Sequence, residues 1–330
     1  MAARARRQLL PQDGDDVRRV LAIDGGGVRG VLPASFLATV EEQIDGNVVD
    51  YFDLIVGTST GGIIALALGA GIAPAAIRDF YLERGRRIFP GNRVIRRARG
   101  LATAKYDQMQ LRTELEDVLG EMRIGESTTR LVIPSMDVNT GKVHLWKTAH
   151  NPRFKQDYLR PMVEAAMATS AAPTFFRAFL TEAGTPLVDG GVFANNPAGL
   201  AATEAVGVLG WPRDEVAILS LGCGTEALNV HAQSWWRSGL IGYAPKIVDI
   251  FMTAQSDASC GSAIHLIGDR NKFYRVSPIL PAKRYGLDVT GELSSLSGIG
   301  RSEARQRLQD VEPLFFQQPP AEPFVPDLQL

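Results

Sequence analysis

Two glycine-rich turns, each set between an apolar strand and an apolar helix, constrain the fold of this chain most strongly. The first is Asp24-Gly25-Gly26-Gly27-Val28-Arg29-Gly30, which follows a strand at Val20 to Asp24 and precedes a helix to about Gln43. The second is Gly57-Thr58-Ser59-Thr60-Gly61, which follows a strand at Phe52 to Val56 and opens a helix to Leu68. Alternating strands and helices predict an α/β fold, with a mainly parallel central sheet and helices on both faces.

The rest of the chain continues the same pattern without an internal repeat or a linker. Further strands are predicted at Leu131 to Val138, Lys142 to Trp146, Pro186 to Asp189 and Glu215 to Leu221, with a last helix around Arg301 to Val311. Five prolines follow from Pro313 onward, and this density is typical of irregular chain. We therefore expect a flexible N-terminal segment at 1–16, one domain at 17–312 and a Pro-rich tail at 313–330.

Charge and composition exclude several classes of protein. The chain has 35 basic and 36 acidic residues, which excludes a wholly basic nucleic-acid coat, and we expect no DNA or RNA partner. Its two cysteines cannot form a disulfide framework and suit a reducing compartment. No apolar segment of signal type follows the N-terminal arginines, and the longest apolar run, at 61–77, is broken by glycines and a proline. We expect a cytoplasmic protein.

The first turn is compatible with two kinds of site. Gly25, Gly27 and Gly30 match G-x-G-x-x-G, and backbone N–H groups at the start of a helix bind anions. A dinucleotide site also requires an acidic residue at the end of the second strand, whereas Asp45 and Asp50 precede that strand. A cofactor loop and a simple tight turn both remain open for this segment alone. A phosphate-binding P-loop is excluded, because no Gly-Lys-Ser/Thr follows a glycine-rich stretch.

The second turn matches G-x-S-x-G in the context that a nucleophile elbow requires. In such a turn the serine backbone is strained, its hydroxyl stands clear of the sheet, and flanking glycines avoid clashes with neighbouring elements. Here Ser59 is the candidate nucleophile, and Gly57 and Gly61 are the flanking glycines. The alternative is a serine that only caps the N-terminus of the following helix.

A serine hydroxyl needs a base, and the best candidate is Asp189 in Leu187-Val188-Asp189-Gly190-Gly191. Asp189 ends a short strand, although Asp-Gly-Gly alone also fits an ordinary turn. None of the four histidines lies in a glycine-rich or strand-end context. Because Ser59, Asp189 and the first turn all follow strands, we expect them at one edge of the sheet.

These motifs, in this order, resemble those of the patatin-like phospholipases, as does the stretch Ala168-Thr169-Ser170-Ala171-Ala172-Pro173. The resemblance implies that 17–312 is a catalytic domain that hydrolyses acyl esters of membrane phospholipids without metal or cofactor. It implies a dyad in which Ser59 is the nucleophile and Asp189 the base, with no histidine. It also implies an oxyanion hole formed by Gly25, Gly26 and Gly27 and supported by Arg29 and Gly30.

The resemblance also suggests how the activity is controlled and where the protein acts. Some short bacterial members of that family are anti-phage effectors switched on by cyclic dinucleotides, and this chain is similar in size. The expected partners are phospholipid, a cyclic dinucleotide and a second copy of the chain, with peripheral contact at the inner membrane. The alternatives are a constitutive lysophospholipase, a non-catalytic lipid-binding protein and a nicotinamide or flavin oxidoreductase.

Two further segments have the chemistry of membrane or phosphate contacts. Ser234-Trp235-Trp236-Arg237 with Leu240 and Ile241 is typical of an amphipathic element with an aromatic anchor, or of core or dimer contacts. The segment from Arg84 to Lys105 has eight basic residues and no acidic one. It is suited to anionic headgroups or to a phosphate-bearing effector, since guanidinium groups match phosphate geometry.

Overall fold

The computed structural model describes residues 17–90, 104–226, 247–282 and 284–330. Its strands are β1 (Arg18–Ile23), β2 (Leu54–Gly57), β3 (Arg130–Asp137), β4 (Lys142–Lys147), β5 (Phe179–Leu180), β6 (Pro186–Asp189), β7 (Val216–Leu221), β8 (Thr225–Glu226), β9 (Phe273–Val276) and β10 (Ile279–Leu280). Its α-helices are α1 (Val31–Glu41), α2 (Thr60–Gly69), α3 (Pro74–Ile88), α4 (Gln108–Leu119), α5 (Met162–Thr169), α6 (Gly191–Ala194), α7 (Ala198–Ala202), α8 (Ile247–Ile267) and α9 (Leu293–Phe315).

The central sheet is mixed, with a parallel core. Strands β3, β2, β1, β7 and β9 pair in that order and run parallel. Strands β4 and β6 pair with β3 in the antiparallel direction, and β5 is antiparallel to β6. The predicted α/β class with a mainly parallel sheet is confirmed, and β4 and β6 are the strands that run antiparallel to its core.

Successive residues of the central strands enter two separate cores, as the period of two in a strand requires. On one face, Leu21 and Ile23 pack with side chains of α1, α2, α3, α5 and α9. On the other face, Val20 and Ala22 pack with side chains of α7 and α8. Helices thus cover both faces, which explains why the strands are continuous apolar runs in the sequence.

The register of β3 brings two strand ends together. Val132 pairs with both β2 and β4, which places β2 on the edge of β3 opposite to β4. Strand β6 pairs with residues 135–137 on the edge of β3 that β2 also uses, and its chain runs toward β2. The carboxyl ends of β2 and β6 therefore point at each other, and Ser59 follows one end while Asp189 closes the other.

The C-terminal part is more ordered than its proline content predicts. Helix α9 begins at Leu293 and ends at Phe315, so the predicted boundary after residue 312 falls inside it. Beyond the helix, the Arg19 guanidinium donates to the carbonyl of Pro319 (2.6 Å), and Ala321 N–H donates to the carbonyl of Asp50 (2.7 Å). These hydrogen bonds attach the proline-rich segment to the domain.

No helix in the described ranges has both the length and the apolar character needed to cross a bilayer. The predicted flexible segment at 1–16, the Trp235-Trp236 element and residues 91–103 of the basic stretch lie outside the described residues.

Candidate active site

The turn after β2 has the backbone of a nucleophile elbow. Ser59 has φ 55° and ψ −120°, and it is one of two residues other than glycine with positive φ in the described ranges. A Cβ at Gly57 would lie 2.1 Å from the carbonyl oxygen of Gly61, and a Cβ at Gly61 would lie 2.2 Å from that of Ile23. Glycine is therefore required on both sides of the strained serine.

Helix α5 holds the serine backbone in this conformation. Thr169, its last residue, accepts a hydrogen bond from the Ser59 N–H (3.0 Å) and donates one to the carbonyl of Pro134 on β3 (2.6 Å). Thr169 is fully buried, so both bonds are shielded from water. Backbone strain persists only where surrounding contacts over-determine it, and these two bonds supply part of that constraint.

Asp189 is the titratable group next to the serine. Its side chain is buried, and one carboxylate oxygen accepts the Gly191 N–H at 2.7 Å. Burial raises the pKa of Asp189 to about 6, while hydrogen bonding to the Ser59 hydroxyl and to the Gly191 N–H offsets part of that rise. The elbow and the Asp-Gly-Gly turn, predicted at one edge of the sheet, thus lie within hydrogen-bonding reach of each other.

The first glycine turn lies beside the serine and presents free backbone donors. A Cβ at Gly25 would lie 3.2 Å from the Cβ of Ser59. The Gly25 N–H donates to the carbonyl of Asn195 (2.9 Å), so it is already engaged. Among the described residues, the N–H groups of Gly26 and Gly27 have no backbone acceptor, and the oxyanion role expected of Gly25, Gly26 and Gly27 stays a prediction.

This turn is braced from the strand side and from the C-terminal half of the chain. Asp24 forms a buried ion pair with Arg275 on β9 (2.7 Å), which also donates to Ser220. The carbonyl of Leu287 accepts the Val28 N–H (2.9 Å). Arg29, the predicted support, contributes one long contact to the carbonyl of Gly224 (3.4 Å). Arg275 therefore contributes the stronger contact, and its distance in sequence explains why the motif did not reveal it.

Gly30 has a separate packing role. A Cβ at Gly30 would lie 2.2 Å from the Thr60 hydroxyl oxygen and 3.0 Å from the Tyr81 ring. Glycine at this position lets the first turn approach the start of α2. The approach couples the glycine-rich turn to the elbow.

Asn195 is a site residue that sequence reasoning missed. Its carbonyl accepts the Gly25 N–H, its own N–H donates to the Gln255 side chain on α8 (2.7 Å), and its amide oxygen lies over Gly25 and Gly191. No sequence pattern marks Asn195 itself, although Asn196-Pro197 directly after it is typical of a helix start. The Asn196 side chain does accept the Ala198 N–H at that start.

The histidines of the described ranges contact residues other than Ser59 and Asp189. His150 is buried and binds Glu204 (2.9 Å) and Thr148 (2.7 Å), and His144 lies against Trp146 and Asp157. His265 is exposed on α8. Among the described residues, the serine therefore has a carboxylate beside it and no imidazole.

A strained serine after a parallel strand, followed by an apolar helix, defines an α/β protein with a nucleophile elbow. The chain belongs to the patatin-like phospholipase family, a family of hydrolases whose model matches residues 21–202. That match contains the first glycine-rich turn, the elbow and the Asp-Gly-Gly segment.

Curated relatives extend the similarity beyond the family model. A cGAMP-activated phospholipase of Pseudomonas aeruginosa is 32% identical over 72% of this chain and 72% of its own length. A cGAMP-activated phospholipase of Escherichia coli is 36% identical over 56% of this chain and 55% of its own. The chain thus spans about half of that second relative. Patatin-like protein 1 of rice is 32% identical over 88% of this chain and 82% of its own length.

Proposed function

We propose that this protein hydrolyses fatty-acyl esters of membrane phospholipids through Ser59 and Asp189. A strained serine next to a buried carboxylate, whose pKa burial raises and hydrogen bonding to the serine hydroxyl lowers, carries the proposal. Family membership supports the substrate class. Within the described ranges, no imidazole competes with Asp189 for the role of base.

The raised pKa makes Asp189 a better base than an exposed aspartate. A carboxylate with a pKa near 3.8 holds a proton weakly at neutral pH, whereas one at about 6 accepts it more readily and is still largely ionised. The Gly191 N–H fixes one oxygen of this carboxylate, which orients the group toward Ser59.

The reaction runs in two halves. Asp189 takes the proton of Ser59 as the serine oxygen bonds to the ester carbonyl carbon, and the negative oxygen is met by the N–H groups of Gly26 and Gly27. The leaving alcohol then takes the proton from Asp189, which leaves an acyl-enzyme. Water attacks that ester and gives its proton to Asp189, and Asp189 then passes this proton to the Ser59 oxygen as the fatty acid is released. A donor of this kind is worth about 2.7–4 kcal/mol in the transition state.

Covalent labelling tests the nucleophile directly. A fluorophosphonate should label the wild-type protein at Ser59 alone, as mapped by mass spectrometry. Ser59→Ala should remove both the label and phospholipid hydrolysis, and Asp189→Asn should slow both by at least about 100-fold, in line with the loss of a general base. Ser302→Ala, which removes an exposed serine of α9, is the matched control. Labelling that survives in the Ser59→Ala protein would refute the assignment.

We also propose that a cyclic dinucleotide activates the hydrolase and that it serves in anti-phage defence. Relatives named cGAMP-activated phospholipases, with 32% and 36% identity, support this regulation. Release of fatty acid from phospholipid vesicles should rise at least about tenfold when cGAMP is added. Full activity without nucleotide would favour the constitutive alternative. Inertness to fluorophosphonate in both conditions would favour a non-catalytic lipid-binding protein.

A further inference from the structure

A cleft beside helix α5 has an acidic lining. It has a volume of about 980 Å³ and lies between α4, α5 and β5. Five glutamates and two arginines line it, a formal excess of three negative charges. Its floor and walls are apolar and include Met122, Val163, Met167, Phe179 and Leu180.

The deepest carboxylate in this cleft lacks a partner. Glu164 on α5 is 7% exposed, and one of its oxygens accepts the Glu182 N–H at 3.2 Å. Its other oxygen is buried and has no hydrogen-bond partner among the described residues. Burying an acceptor without a donor is costly, and more so for a carboxylate, so this oxygen requires a donor that the described residues do not supply.

The other charges of the cleft divide into paired and unpaired groups. Glu116 binds Arg112 (2.7 Å), and Glu182 binds Arg160 (3.0 Å). Glu121 and Glu126 are exposed and have no ion-pair partner within the described ranges, and one oxygen of Glu126 accepts the Arg123 N–H (2.6 Å). Only the Arg123 guanidinium adds an unpaired positive charge. The carboxylates without an ion pair in this cleft are thus buried Glu164 and exposed Glu121 and Glu126.

We propose that this cleft binds an organic dication, in which ammonium or guanidinium groups end a short aliphatic body. One cationic end supplies the hydrogen-bond donors that Glu164 lacks, and charge-assisted bonds of this kind are the strong ones. The aliphatic body packs on the apolar walls, as the stems of lysine and arginine do in proteins. The second cationic end binds the exposed carboxylates of Glu121 and Glu126.

The lining argues against two other occupants. In the described part of the chain, no three acidic, histidine or cysteine side chains gather as ligands for a metal ion. A zwitterionic lipid headgroup would bring its phosphate against the glutamates, which repel it. The same repulsion excludes a cyclic dinucleotide, so the proposed activator needs a different surface.

The cleft and the candidate nucleophile share helix α5. Glu164 and Thr169 are five residues apart on α5, which places them about 7.5 Å apart along the axis and about 140° apart around it. Glu164 faces the cleft, while Thr169 faces the Ser59 N–H. A single short helix therefore separates the cation site from the strained serine.

Calorimetric titration of the full chain with agmatine, a butyl chain with a guanidinium and an ammonium end, tests the site. Agmatine should bind with a Kd below about 1 mM, and Glu164→Gln should weaken binding at least about tenfold. Glu83→Gln, which removes the same charge from an exposed position of α3, should change the Kd less than about twofold. This readout requires no hydrolysis, so its failure is distinct from failure of the proposed function.

A second variant keeps the test independent of Glu164. Leu180 is 63% exposed at the cleft, so Leu180→Lys places a tethered ammonium there without disturbing the core. It should abolish agmatine binding and leave the melting temperature unchanged. Absence of binding to the wild type at about 10 mM agmatine would overturn the proposal. Equal losses in Glu164→Gln and Glu83→Gln, or equally tight binding of phosphoethanolamine, would overturn it as well.

Discussion

Asp189 links the proposed chemistry to the stability of the fold in a way that can be measured. Burial raises its pKa from 3.8 to about 6, so the folded protein holds this proton more tightly than the unfolded chain does. The stabilisation is complete below pH 3.8 and is lost as the pH rises through 6. At neutral pH the folded state therefore holds an ionised carboxylate that burial disfavours.

The size of this effect follows from the shift. Each pKa unit corresponds to about 1.36 kcal/mol, so a shift of about two units is worth about 3 kcal/mol at neutral pH. Asp189→Asn cannot titrate and retains an oxygen for the Gly191 N–H. The free energy of unfolding of Asp189→Asn, minus that of the wild type, should rise by about 2.4 kcal/mol between pH 4 and pH 7, because part of the stabilisation is already lost at pH 4.

Urea unfolding of the wild type and of Asp189→Asn across this pH range measures the difference between their free energies of unfolding. The contributions of all other titrating groups cancel in this difference. Asp137→Asn is a control of opposite sign, because hydrogen bonding to Thr140 lowers the pKa of Asp137. Its removal should cost stability at neutral pH relative to pH 3. In the wild type, kcat/KM should rise tenfold per pH unit up to about pH 6 and then level off. Parallel unfolding curves for the wild type and Asp189→Asn would refute the reasoning.

Three further substitutions probe the supports of the site. Thr169→Val removes the acceptor for the Ser59 N–H and should lower kcat and cost about 1–3 kcal/mol, whereas Thr169→Ser retains both hydrogen bonds and should lose little. Arg275→Met leaves Asp24 buried and unpaired, and chemical denaturation should show a loss of about 3–5 kcal/mol that an added Asp24→Asn partly restores. Glu204→Gln removes the carboxylate that binds a buried lysine and a buried histidine, and should lower the free energy of unfolding by a similar amount while labelling of Ser59 persists.

The local parts of the site could be predicted because their signals are short and lie next to each other in the sequence. The elbow is encoded in five consecutive residues, since the strained serine requires glycine at Gly57 and at Gly61. Strand β6 was likewise predicted from Pro186 to Asp189, with the bounds that the structure gives. The pattern did not reveal that β6 runs antiparallel, because a four-residue strand carries no signal of direction.

Long-range contacts escaped prediction for a related reason. The Asp24–Arg275 pair joins residues 251 positions apart, and no local spacing marks it. Helix α9 was predicted too short because the glycines near its start resemble a loop. Gly300 is instead a packing residue, where a Cβ would lie 2.3 Å from the carbonyl oxygen of Leu32 on α1. Glycine thus occurs both in loops and where two helices pack closely, so its presence in the sequence does not distinguish the two.

Strand β3 pairs with both β2 and β6 and so sets the distance between Ser59 and Asp189. This limits which insertions the chain tolerates. Inserting one residue between Val132 and Ser135 would move the Asp189 strand by about 3.3 Å relative to β2 and turn its side chains to the opposite face. Extra residues in the exposed hairpin at 139–141 would leave that spacing intact. Length variation in functional homologues should therefore accumulate at the hairpin and spare the two residues, Ile133 and Pro134, that lie between the two pairings.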